Sequence, residues 1–291
     1  MGEDRISMEK DQERRWFITG ISTGFGRELA RAVVQSGDRV LGTVRKTAQI
    51  DELAGEGIDA ILMDVNDQAA VDAGLRAANE RLGGVDVVVN NAGFGMVGAI
   101  EALSLDEVRT VMETNFFGAI RVTQAFIPAM RATGGTIVMI SSMAGQIGFA
   151  GAGAYCASKF ALEGLSDALA EELAPFGVDV LIVEPGAFRT DFAGRSMQGA
   201  EGSVEAYAGM QAGEAKNWAA TYHGTEPGDP VKGAQAIIDV IRAGNPPRRL
   251  ALGADAVEGI LQKLDKVRHD LDAWREASLG TAFASRKESG P

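Results

Sequence analysis

Tyr155 and Lys159, one helical turn apart in Tyr155-Cys-Ala-Ser-Lys159, have the spacing in this sequence most suited to chemistry. Residues four apart on a helix share a face. A free tyrosine titrates at about 10 and is a poor base at neutral pH, but a nearby ammonium favours the phenolate. Such a pair can pass a proton to or from a substrate oxygen. Many surface helices bring Tyr and Lys together in this way, so the spacing alone leaves the pair unassigned.

A second feature suggests a partner for that chemistry. Thr19-Gly-Ile-Ser-Thr-Gly-Phe-Gly26 joins an apolar strand-like run to a helical pattern. Its glycines, Gly20, Gly24 and Gly26, would let backbone N–H groups and a helix N-terminus face a pyrophosphate, with Ser22, Thr23 and Phe25 beside it. The spacing differs from the long-known G-x-G-x-x-G. The same residues also contain Gly20-Ile-Ser22-Thr-Gly24, which matches the G-x-S-x-G elbow of serine hydrolases. That elbow needs an oxyanion loop after an earlier strand. Only the charged stretch 1–15 stands before this one and no earlier strand is expected, so the hydrolase reading is not expected to hold.

The end of the second strand-like run selects the cofactor. An NAD site places Asp or Glu there for the ribose 2′-hydroxyl, whereas Arg suits a 2′-phosphate. Here the segment is Gly42-Thr43-Val44-Arg45-Lys46, with no acidic residue. Arg45 offers a fork for the phosphate and Lys46 adds charge. NADP(H) is therefore expected in preference to NAD(H).

These residues need a scaffold, and apolar periodicity supplies one. Strands are expected at Trp16–Thr19, Arg39–Val44, Asp59–Met63, Val85–Asn90, Thr136–Ser141, Val178–Glu184 and Arg248–Leu252. Helices are expected at Phe25–Gln35, Gln68–Arg81, Leu105–Ala132, Tyr155–Ala174 and Val231–Ala243. Several strands are almost wholly apolar, as in a parallel sheet buried on both faces. The alternation predicts an α/β fold: a Rossmann-type, doubly wound parallel sheet of about seven strands with helices on both faces. It is expected to form a single domain over residues 15–255. A flexible extension (1–14) is expected before it, and a C-terminal helix and tail (256–291) after it. Residues 187–228 break the alternation with Gly, Ala, Met and scattered aromatics, and are expected to form a substrate lid.

Composition narrows the class. A net charge of −12 disfavours nucleic-acid binding, which needs clustered Lys and Arg. One cysteine, Cys156, excludes an internal disulfide, and with only two histidines a Cys/His zinc site lacks ligands, so no metal is expected. No apolar run approaches the roughly 18 residues of a membrane span. No secretory signal is expected at the start and, with Ile6 at the sixth position, no myristoylation signal. A cytoplasmic protein with no membrane partner is expected.

Taken in order, these motifs closely resemble the short-chain dehydrogenase/reductase family, in its compact single-domain branch, over about Trp16 to Leu252. Thr19 to Gly26 is similar to the family's T-G-x-x-x-G-x-G. Asp64-Val65 resembles the pair that contacts adenine, and Asn90-Asn91-Ala92-Gly93 the motif ending strand four. Pro185-Gly186, with Phe188 and Thr190 shortly after, resembles the segment that holds the nicotinamide carboxamide. Asn115, Ser142, Tyr155 and Lys159 match the catalytic tetrad. The resemblance implies that Ser142 polarises the substrate oxygen and that Tyr155 donates its proton as hydride arrives from the nicotinamide. It also implies that Lys159 binds the ribose and lowers the tyrosine's pKa, and that Asn115 anchors a relay water. The family pattern is not complete, because some NADP-preferring relatives carry a basic residue where Thr23 stands.

The substrate is expected to be a hydrophobic small-molecule carbonyl or alcohol, in a pocket walled by Phe94, Met96, Gln146, Phe149 and Phe192. A homodimer or homotetramer is expected through Leu105–Ala132 and Tyr155–Ala174, which carry more apolar positions than one covered face requires. Two other readings are a redox-silent NADP-binding sensor or scaffold, and an isomerase or dehydratase using the same Tyr–Lys pair.

Overall fold

The computed structural model describes residues 13–283, apart from the side chains of 218 and 219. Most of the expected N-terminal extension and the end of the C-terminal tail lie outside the described residues.

Seven strands form one parallel sheet: β1 (Arg15–Ile18), β2 (Arg39–Val44), β3 (Asp59–Leu62), β4 (Val87–Asn90), β6 (Gly135–Ile140), β7 (Val178–Pro185) and β9 (Arg249–Leu252). Their order is β3-β2-β1-β4-β6-β7-β9, so the direction of winding reverses between β1 and β4. The sheet is doubly wound, and in such sheets ligands bind beyond the strand carboxyl ends at the reversal.

The apolar runs are continuous because both faces of the sheet are covered. Phe17, Leu41, Val88, Ile137 and Met139 enter one core, and Trp16, Ile18, Val40, Val89 and Val138 enter the other. Alternate residues of a strand point to opposite faces, so neighbours in sequence end up in different cores. The core of Trp16 and Ile18 packs under α1 (Gly24–Gln35) and α8 (Pro230–Arg242), through Leu29, Val33, Ile237 and Ile241. The other packs under α3 (Gln68–Leu82), α5 (Ala119–Thr133) and α6 (Gly153–Leu173), where the Phe17 and Phe126 rings meet at 4.7 Å. Burying a side chain of this size contributes roughly 1.5–3 kcal/mol. The short α2 (Ala48–Ala54) adds Leu53 to the core of Trp16 and Ile18.

Local signals in the sequence set the helix ends. Asp67 caps α3 by accepting from Ala69 and Ala70, and Asp229 caps α8 with Pro230 in its first position. Ser104 and Glu107 form a reciprocal capping box at α4 (Leu105–Met112).

Besides α2, which was not expected, four features depart from the expected pattern. The single helix expected over Leu105–Ala132 is interrupted. A π-helical turn, Glu113–Gly118, separates α4 from α5 and buries Thr114 and Asn115. The turn is held by tertiary contacts, which helical periodicity does not register. Asn115 is bonded to the backbone of Phe94, and Gly118 packs so closely on Val65 that a Cβ there would come within 2.7 Å of it.

A second, two-stranded parallel sheet joins β5 (Gly95–Val97) to β8 (Met197–Gly199). It ties the start of the 187–228 segment to the loop after β4. Each strand is too short to give a periodic signal. The segment also contains a helix, α7 (Gln211–Tyr222). The expected C-terminal helix is two, α9 (Ala254–Ala273) and α10 (Arg275–Leu279), and α9 is largely exposed beyond Ala256.

Candidate active site

The glycine turn is built from backbone outward. Thr19 Oγ1 accepts hydrogen bonds from Asn91 N and Ala92 N, both at 3.0 Å, joining the ends of β1 and β4. Asn91 Nδ2 donates to the carbonyls of Thr19 and Gly20 at 2.9 Å, and Gly20 N donates to Thr43 Oγ1 at 3.1 Å. Gly20 and Gly24 have φ of 72° and 63°, a region that favours glycine. A Cβ on Gly20 would come within 2.9 Å of Ala92 Cα. Thr23, the N-cap of α1, makes no side-chain cap bond, so no side chain of the cap covers the first N–H groups.

This turn opens into a cavity of about 830 Å³ at the carboxyl ends of the strands. Gly20, Ser22, Thr23, Gly24 and Phe25 line one side, with Arg45 and Lys46 beyond β2 and Asp64 and Val65 beyond β3. Asn91, Ala92 and Gly93 form the floor, and Pro185, Gly186, Phe188 and Thr190 close it from the end of β7. Gly26 is not in the wall. It lies under the Asn91 amide, leaving no room for a side chain.

The side chains expected to react, Ser142, Tyr155 and Lys159, lie in the same cavity. Ser142 follows β6, and its Oγ accepts from Ala144 N at 3.1 Å and donates to the Pro185 carbonyl at 3.5 Å. α6 carries Tyr155 and Lys159 on its cavity side. Lys159 is 5% exposed, and its Nζ donates to the Ile140 carbonyl at 2.7 Å.

Electrostatics in the site are governed by burial. The Tyr155 phenol is pushed well above its ordinary value, mainly by desolvation, with the nearby Ser142 hydroxyl acting against the shift. Burial also lowers the Lys159 ammonium to about 8, opposed by the charge of Glu163. The expected depression of the tyrosine by lysine is thus outweighed, because Lys159 turns to a neutral carbonyl and desolvation penalises both charged forms. At neutral pH Tyr155 holds its proton.

Asn115 does not line the cavity. Its Oδ1 accepts from Phe94 N at 3.0 Å, and its Nδ2 donates to Phe94 O at 2.9 Å and Ser158 Oγ at 3.0 Å. The side chain is therefore engaged in joining the π turn to the loop after β4.

Of the expected pocket residues, Phe94, Phe149 and Phe192 line the cavity, and Phe192 packs on the Tyr155 ring at 5.6 Å between centroids. Met96 and Gln146 do not. Met96 is 3% exposed and packs with Val111 and Ala154 beneath the small sheet. Gln146 turns away from the cavity, and its amide donates to Glu163 and Glu184. Both expectations followed from position in the chain, and side-chain direction decided otherwise.

Asp255 had no assigned role in the sequence. It sits in the first turn of α9, lines the cavity, and accepts from Ala187 N at 2.7 Å, fixing the segment after β7. Its position in the first helical turn was its only signal. Among the described residues no helix is long and apolar enough to cross a membrane.

Comparison with known proteins agrees with this geometry. The family model for short chain dehydrogenases matches residues 14–201. An oxidoreductase of Botryotinia fuckeliana is 36% identical over 272 residues, covering 92% of this chain and 98% of that protein. A short-chain dehydrogenase from Streptomyces avermitilis is 44% identical with a TM-score of 0.87, covering 94% of this chain and all of that one. The actinorhodin polyketide ketoreductase, solved with NADPH, is 30% identical with a TM-score of 0.70, over 85% of this chain and 98% of that one.

Proposed function

Because the chain belongs to the short-chain dehydrogenase family, we propose that it is an NADP(H)-dependent oxidoreductase that interconverts a hydrophobic ketone or aldehyde and its alcohol. The observation that carries this reading is the position of Ser142, Tyr155 and Lys159 in the same cavity as the glycine turn.

The turn fits a dinucleotide. Its glycines leave no side chain between the start of α1 and a pyrophosphate, and a Cβ at Gly20 would collide with Ala92. Arg45 and Lys46 line the cavity beyond β2 and would hold a 2′-phosphate, and Asp64 and Val65, beyond β3, would contact adenine. The bound nicotinamide supplies or accepts a hydride. Every other part of the mechanism belongs to the chain's own residues.

In the reductive direction Ser142 Oγ donates a hydrogen bond to the substrate carbonyl oxygen and Tyr155 gives that oxygen its proton. A phenol held above its ordinary pKa remains protonated at neutral pH, which suits it to act as the donor. Lys159 then provides positive charge near the phenolate that is left, and Asn115 fixes the loop that walls the pocket. Oxidation runs the same transfers in reverse. The wall of Phe94, Phe149, Phe192 and Met197 favours an apolar substrate body.

Phe117 and Phe160, each 45% exposed, lie on the helical segments proposed to meet a second copy. The reading is tested with a panel of ketones, aldehydes and alcohols, following NADPH absorbance in both directions. Oxidised cofactor formed in stoichiometry with alcohol is expected. No turnover with any of them would overturn the reading.

A further inference from the structure

Beneath the cavity lies a polar cluster that takes no part in proton transfer at Tyr155. Glu163 is one helical turn beyond Lys159 and 4% exposed, and Glu184, directly before Pro185 on β7, is 2% exposed. Gln146 Nε2 bridges them, donating to Glu163 Oε2 at 3.2 Å and to Glu184 Oε1 at 3.0 Å. Arg249 of β9 reaches the same two oxygens with Nε, at 3.2 Å and 3.3 Å, while its Nη2 donates to Asp167 at 2.6 Å. The charged groups facing Glu163 are therefore Glu184 from β7, Arg249 from β9, and Lys159 and Asp167 from its own helix. Gln146 and Ser141 add neutral dipoles.

Two buried carboxylates thus face one guanidinium, which they share with a third carboxylate. With both ionised they would repel each other across the width of a single bridging amide, away from water. One proton held by the pair removes that repulsion. Burial pushes both carboxyls up, Glu184 to about 7, with the neighbouring Glu163 charge adding to the rise. The negative charge that remains on Glu163 is the one that opposes the burial penalty on Lys159. Position matters as well, because the pair touches three active-site segments: the one after Ser142 through Gln146, the helix of Tyr155 and Lys159, and the end of β7 before Pro185.

We infer that Glu163 and Glu184 form a proton-sharing positioning pair, with Glu184 carrying the proton and Glu163 the charge that keeps Lys159 an ammonium. Gln146 ties this pair to the Ser142 segment. The inference deepens the oxidoreductase reading and rests on it for the roles of Lys159 and Tyr155.

The test compares kcat against pH for ketone reduction in the wild type, E163Q and E184Q. Each variant removes one carboxylate from the same cluster with little change in volume, so a merely structural role would move both profiles alike. In E163Q the alkaline limb should move down by about one pH unit, a tenfold loss at a fixed pH on that limb. In E184Q, where Glu163 stays fully ionised, the limb should stay in place or move up. An E163Q limb that does not move down, or two limbs that move the same way, overturns the inference.

A second measurement needs no turnover. Folded Glu184 keeps its proton up to about 7, whereas a free glutamic acid releases it near 4.5. The unfolded chain loses that proton first, so stability falls as pH rises across this window. The slope of Tm against pH from 4.5 to 7 should be shallower in E184Q than in the wild type, and an equal slope overturns the shared proton. This arm stands even if E163Q does not fold. It also separates the two claims, since a wild type that reduces no carbonyl sinks the oxidoreductase reading and leaves the Tm comparison valid.

Discussion

The ammonium of Lys159 lies 5.9 Å from the centre of the Tyr155 ring while it donates a 2.7 Å hydrogen bond to the carbonyl of Ile140. The lysine is thus held by the backbone of β6 close to the tyrosine, at a depth where its own proton is weakly held. Negative charge formed at the phenol would lie close to this ammonium, and the phenol at rest is neutral.

Removing the hydroxyl tests that arrangement directly. Tyr155→Phe should lower kcat by about 10²–10⁴-fold, the range for loss of a positioned acid or base. NADPH affinity by fluorescence titration should change less than about threefold, because the ring and its contact with Phe192 remain. Retained turnover would remove Tyr155 from the mechanism.

Arg45 is expected to choose the cofactor. A hydrogen bond to a charged group contributes roughly 1.5–3 kcal/mol, so Arg45→Ala should weaken NADPH binding by about 10–100-fold and leave NADH little changed. Equal dissociation constants for NADPH and NADH in the unaltered protein would rule out the preference.

Asn115 should matter for stability before chemistry. Asn115→Leu leaves the amide and carbonyl of Phe94 without their side-chain partner and should cost about 3 kcal/mol in denaturant unfolding. Asn115→Asp keeps the acceptor for Phe94 N and should cost less. Equal losses for the two variants would mean that the paired bonds do not hold the π turn.

Phe192 comes from the segment that closes the cavity and packs on the Tyr155 ring. Phe192→Ala should reduce kcat/KM for a small aliphatic ketone about tenfold and favour bulkier aryl ketones, since apolar pocket contacts are worth about 1–3 kcal/mol. A ratio of kcat/KM values that does not change would place the substrate elsewhere.

The sheet was legible because its physics is local and repetitive. Val85 to Asn90 and Val178 to Glu184 are apolar on both faces, a pattern that only a sheet covered on both sides makes stable. The glycine turn was legible too, since Gly20 and Gly24 adopt backbone angles that other residues rarely tolerate. The π turn, the β5–β8 pair and the direction of Gln146 were not. Each is decided by contacts far along the chain: Asn115 with Phe94, Gly95 with Met197, and Gln146 with Glu184.

The amino-acid order by itself therefore determined the family, the sheet and which residues are candidates for chemistry, because motif and periodicity are properties of neighbours in sequence. Only the tertiary structure decided the state of that group. It set how deeply Tyr155 and Lys159 are buried, turned Lys159 to a backbone carbonyl, and placed Glu163 and Glu184 behind them. Desolvation and charge pairing depend on what surrounds an atom in space, and segments distant in sequence provide those surroundings.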